Sequence, residues 1–138
     1  VLDELHESFA TLTQEEQKYA NIFLHDVQNG DVVVDEGKTL RDYITEYMTS
    51  AKNDQIHRFA TAIGVDETIL RSFMQSKITE ANINEFGKFD TLKATVDPEK
   101  AKTFLEMIAG KPIKKFQINM KIDQMLRRFI LEGGFDIT

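Results

Sequence analysis

The stretch Lys111–Gly134, KPIKKFQINMKIDQMLRRFILEGG, decides how the rest of the chain is read. With Ile122 at zero and a step of about 100° per residue, Ile118, Met125, Leu126, Phe129 and Ile130 fall with it inside one arc of about 140°. The spacing predicts a helix from about Asn119 to Glu132 with that arc turned to a core. Lys121, Gln124 and Arg128 fall on the opposite side as a basic stripe. Met120, Arg127 and Leu131 form a mixed strip beside it. Lys111, Lys114 and Lys115 precede the helix, where a turn would fan them outward.

Charge sets this stretch apart. From Lys111 to Thr138 there are six Lys/Arg and three acids, net +3, whereas residues 1–110 hold eleven basic and twenty acidic residues, net -9. A basic amphipathic end on an acidic body is the pattern of an edge that docks a partner or faces nucleic acid. The alternative is that the basic helix only neutralises an acidic domain, since lysines on solvated faces contribute little energy. The candidate DNA or partner contacts are Lys111, Lys114, Lys115, Lys121, Arg127 and Arg128, with Met120 and Leu131 as the apolar part of a partner surface.

Working back from this end, the composition bounds the fold. A chain of 138 residues buries about 68% of the surface its unfolded form exposes, enough for one domain over 1–138 with a real core. The absence of cysteine excludes thiolate catalysis, Cys-based zinc sites and disulfides. Apolar runs of about four residues fall far short of the ~20 that a membrane span needs, so no membrane partner is expected. The chain begins at Val1 without a basic and apolar leader, and is expected to be a fragment of something larger.

The remaining periodicity is helical. Leu2, Leu5, Phe9 and Leu12 predict a short opening helix, and Thr13-Gln14-Glu15-Glu16 is a capping box for a second, which buries Ala20, Phe23, Leu24 and Val27 and stops at Asn29-Gly30. Val32-Val33-Val34 predicts one short extended segment. Thr39 caps a helix from about Leu40 to Ala51, and Asn53 or Asp54 opens another that ends at Gly64. Asp66 caps the next, burying Ile69, Leu70, Phe73 and Met74. Phe86, Phe89, Leu92 and Val96 point to a helix begun near Asn84 and weakened by Gly87. Asp97-Pro98-Glu99 starts one that runs through Phe104, Leu105 and Ile108 to Gly110. The fold class is therefore all-α: a compact irregular bundle of about seven to eight short helices with at most one short extended segment.

Chemical motifs are weak. Gly37-Lys38-Thr39 resembles the end of a phosphate loop, but the required earlier glycine is Val32, and Asp35 and Glu36 would stand inside the anion cradle. Glu36-Gly37-Lys38 has the acid and lysine of a metal-dependent nuclease strand without a sheet to hold a second acid. His6, His25 and His57 share no metal-ligand spacing, and no serine sits in a glycine-flanked elbow. The turn between the helices ending at Gly64 and starting at Asp66 has a helix-turn-helix shape, but the second helix opens with acids rather than base-reading side chains. No catalytic, cofactor-binding or metal residue is assigned.

Leu40-Arg41-Asp42-Tyr43-Ile44, Ile56-His57-Arg58-Phe59-Ala60 ending in Gly64, Phe89-Asp90-Thr91-Leu92-Lys93, and Lys121-Ile122-Asp123 with Leu126-Arg127-Arg128-Phe129-Ile130 are similar to the C-terminal region of the motor (R) subunit of type I restriction endonucleases. The resemblance covers nearly the whole chain. It implies a helical domain at the end of a large ATP-dependent, DNA-translocating and DNA-cleaving subunit of the bacterial cytoplasm. The nuclease and the motor, with their ATP and Mg, would lie upstream, and this domain would hold no cofactor. The implied role is non-catalytic: docking on the methyltransferase core of M and S subunits and the rest of the R subunit, with nonspecific contact to the double-stranded DNA backbone. A purely protein-docking domain without DNA contact is the other reading.

Overall fold

The computed structural model describes residues 9–85 and 87–135. Among them are six α-helices and no strand: α1 (Gln14–Gln28), α2 (Leu40–Ile63), α3 (Glu67–Gln75), α4 (Lys88–Thr95), α5 (Pro98–Ala109) and α6 (Ile118–Leu131). Short 3₁₀ turns occupy Phe9–Thr11, Ile83–Glu85 and Lys115–Gln117. The all-α class holds, with fewer helices than the seven or eight expected. Leu2 and Leu5 of the expected opening helix lie outside the described residues. The chain forms two compact units, Val1–Asn53 and Asp54–Thr138.

In the first unit the Thr13 hydroxyl accepts from the Glu16 N–H at 3.1 Å, while the Glu16 carboxylate accepts from the Thr13 N–H at 3.0 Å. This capping box satisfies two amides that a helix start leaves unpaired. Thr39 starts α2 the same way, with Asp42 in the reciprocal role at 3.2 and 3.0 Å. Leu12, Ala20, Phe23, Leu40, Tyr43 and Ile44 form the buried cluster. Phe23 stacks on Tyr43 at 4.4 Å and meets Tyr47 edge-on at 5.8 Å. The Tyr47 hydroxyl donates to Asp26 at 2.6 Å, and burial with that carboxylate pushes its pKa up to about 12.

Val32 and Val34 pack on the same cluster and Val33 is 88% exposed, the alternation of extended chain, but no strand pairs with it among the described residues. Behind it the Asp35 carboxylate accepts from the Gly37 N–H at 2.8 Å. The amide a phosphate loop would offer is thus already taken by an acid.

The second unit gathers twenty buried side chains from the later half of α2, from α3 to α6 and from the connections between them. Phe59 stacks on Phe129 at 4.0 Å and meets Phe104 and Phe135 edge-on. Truncating a ring this buried typically costs about 3–5 kcal/mol. The corner between α2 and α3 interlocks with that between α4 and α5. Gly64 turns the chain at φ 72°, the Asp97 N–H donates to the Ile63 carbonyl at 2.9 Å, and the Asp66 N–H donates to the Thr95 hydroxyl at 2.9 Å. Asp97 caps α5 through the amides of Glu99 and Lys100, with Pro98 in the first turn.

Three expectations need correction. The break placed after Ala51 does not exist: α2 runs unbroken for 24 residues. No glycine or proline interrupts residues 51–55, each residue there costs under about 1 kcal/mol in a helix, and Asp54 pairs with Arg58 one turn on at 3.0 Å. The helix expected from near Asn84 begins instead at Lys88, after a 3₁₀ turn that buries Ile83 completely. Ile108, placed on the inner line of α5, is 60% exposed, because Ala101 and Phe104 hold the buried face.

Candidate nucleic-acid and partner interface

The predicted arc of α6 is buried in full: Ile118, Ile122, Met125, Leu126, Phe129 and Ile130. That fixes the rest of the helix surface. Met120 is 53% exposed and Leu131 36%, as the mixed strip requires. Lys121 is half-buried, and Arg128 is exposed, paired loosely with Glu132 at 3.3 Å and lying over Phe135 at 5.9 Å.

Arg127 belongs to a different arrangement. Its guanidinium pairs with Asp123 at 2.5 Å, donates to the Asn84 side-chain oxygen at 2.6 Å and lies 4.6 Å from the Phe89 ring centroid. Lys93 completes the group, donating to Asp123 at 3.0 Å and sitting 5.2 Å from the same ring. Partial burial works against the Asp123 charge, but the hydrogen bonds from Arg127 and Lys93 outweigh it and hold the carboxyl below its usual range. Lys93 is raised, chiefly by its bond to Asp123. The set ties α4 and the Ile83–Glu85 turn to α6, so Arg127 spends its charge inside the fold.

The loop before α6 is held at both ends. Ile113 is buried and its N–H donates to the Glu106 carboxylate at 2.9 Å, the Gln117 N–H donates to the Lys114 carbonyl at 2.9 Å, and Ile118 enters the core. Lys114 and Lys115 between these anchors and Lys111 just before the first are exposed, and Phe116 is 79% exposed. Lys111 to Lys121 contains four lysines and no acid. Among the described residues none of these lysines forms an ion pair.

Phe116, Met107 and Ile108 do not stand out as surface residues in the sequence, though Met107 is 68% exposed. Extending the α6 wheel back to Phe116 puts it about 120° from Ile122, off the buried arc, which is the signal that locates it. Among the described residues no group of three or more His, Asp or Glu is arranged to hold a metal ion. A shallow cavity of about 330 Å³ lies along α5, lined by Ala62, Glu99, Lys100, Thr103, Phe104 and Met107. No helix among the described residues is long and apolar enough to cross a membrane.

These features define an all-α domain with one anchored basic edge carrying exposed apolar side chains. The chain belongs to the family described as type I restriction and modification enzyme, subunit R C terminal, whose model matches residues 1–129. No curated protein and no solved structure matches it.

Proposed function

We propose that this domain is a non-catalytic assembly and DNA-contacting module of the R subunit of a cytoplasmic type I restriction enzyme, with the ATP-driven motor, the Mg-dependent nuclease and their cofactors in other parts of the parent protein. The observation that carries this reading is the anchored edge Lys111–Lys115, whose exposed lysines have no acidic partner among the described residues. Cations held out from a fixed backbone are suited to phosphates, and such contacts position a protein on DNA without reading its sequence. Lys121 and Arg128 flank the edge. Arg127 does not belong with these DNA-facing cations because Asp123, Asn84 and Phe89 occupy it.

The exposure of Met120 and Leu131 favours a second component, docking on the methyltransferase core or on the rest of the R subunit. Deleting the domain from the parent subunit and assaying complex assembly and DNA binding separately tests both parts. The reading predicts loss in both assays. Undiminished assembly of Met120→Asp and Leu131→Asp variants would remove docking from the account.

A further inference from the structure

The edge Lys111–Lys121 holds one side chain that contact with a duplex backbone does not use. Phe116 exposes 79% of its surface, and no ring contact among the described residues engages it. It is the most exposed aromatic of the described chain, and it sits directly after Lys114 and Lys115 in sequence. Met120, 53% exposed, follows at the four-residue spacing that puts side chains on one side of a helical turn. Ile113 and Ile118 are buried on either side, and Glu106 pins the loop through the Ile113 amide, so the ring is presented from a fixed backbone.

We propose that this edge binds unpaired nucleic acid, with a base stacked on Phe116 and the neighbouring phosphates on Lys111, Lys114 and Lys115. The inference rests on the DNA-contacting role proposed above and names the form of strand the site takes. In a duplex each base face is already covered by its neighbours, whereas a single strand leaves faces free for an aromatic ring, and cations alongside track its backbone. Stacking uses the face that every base shares, so the site needs no sequence-reading side chains. Charge complementarity selects this occupant: the segment Lys111–Lys121 that carries the ring has four lysines and no acid, and the Glu106 carboxylate that reaches the loop accepts from the Ile113 N–H.

The test uses the intact R subunit with a labelled 20-mer of oligothymidine and, separately, a 20-base-pair duplex, comparing wild type with Phe116→Ala and Phe116→Trp. Oligothymidine affinity is expected to fall roughly 5- to 150-fold in Phe116→Ala, the effect of removing one stacked base–ring pair, and to be kept in Phe116→Trp. Duplex affinity should change less than about twofold, and an oligonucleotide carrying 5-iododeoxyuridine should photocrosslink at Phe116. If Phe116→Ala leaves oligothymidine binding intact while Lys114→Glu and Lys115→Glu weaken duplex binding, stacking is wrong and backbone contact stands. If the lysine variants change neither affinity, both readings fall. If Phe116→Ala impairs only assembly with the methyltransferase, the ring meets protein and the inference is overturned. Thermal unfolding of each variant should match wild type, since an exposed ring takes little packing with it.

Discussion

Replacing Arg127 with alanine separates a structural cation from the cations proposed to bind DNA. The substitution removes the Asp123 pair at 2.5 Å, the Asn84 bond at 2.6 Å and the guanidinium over Phe89 at 4.6 Å. Side-chain exposures of 29% and 28% for Arg127 and Asp123 place the pair between surface and interior, worth roughly 1 kcal/mol rather than the larger value of a dry pair. The cation over the ring adds about 0.5–1 kcal/mol and the amide bond about 0.5. Asp123 keeps Lys93 at 3.0 Å, so the ~3–5 kcal/mol of an orphaned buried charge does not apply. The expected destabilisation is about 2 kcal/mol. In urea unfolding followed by circular dichroism it moves the midpoint down by about 1 M with little change in slope. Arg128→Ala, which removes a 69%-exposed side chain with a 3.3 Å partner, should stay within about 0.5 kcal/mol of wild type. Equal midpoints for the two variants would refute the assignment of Arg127 to the fold.

Three further outcomes follow from named geometry. Gly64→Ala should destabilise by about 2 kcal/mol or more, because φ is 72° and an added Cβ would come within 2.8 Å of the Asp97 Cβ, whereas Gly110→Ala at φ 69° meets nothing and should cost about 1–2 kcal/mol. Thermal melts of the two variants give the comparison. Asn53→Pro should cost about 3 kcal/mol because it lies inside a continuous helix, and a melt close to wild type would restore a break between two helices there. Asp123, lowered below its ordinary 3.8, contributes stability above that pH and loses it as pH falls through its folded value. Lys93, raised above 10.5, contributes below that pH and loses it as pH rises through its folded value. Comparing Asp123→Asn with wild type across pH should therefore show a difference that is flat between these limits and shrinks beyond each.

What is legible in the sequence is local. Caps at Thr13, Asp66 and Asp97 and the six-residue arc of α6 are set by residues three or four apart, and the structure contains each of them. Helix α2 reads as two because its apolar positions shift: Leu40, Ile44, Tyr47 and Ala51 centre about 140° round the wheel from Ile56, Phe59, Ala60 and Ile63. Two stripes look like two helices when continuity has to be inferred from periodicity alone. Arg127 resembles a binding cation in sequence for a longer-range reason. Its spacing to Asp123 is visible, but Asn84 and Phe89 approach it only through the fold. The exposed basic edge is evident as charge, while the burial of Ile113 and Ile118 that fixes it depends on tertiary packing.

The most direct measurement is the salt dependence of DNA binding by the R subunit carrying Lys111→Glu, Lys114→Glu and Lys115→Glu, beside wild type and Arg127→Ala. The slope of log K against log salt should shrink by roughly 0.7 to 0.9 for each phosphate no longer neutralised, the lower value for a single strand, and should stay unchanged in Arg127→Ala. A lysine variant with the wild-type slope would contradict the assignment of this edge to nucleic acid.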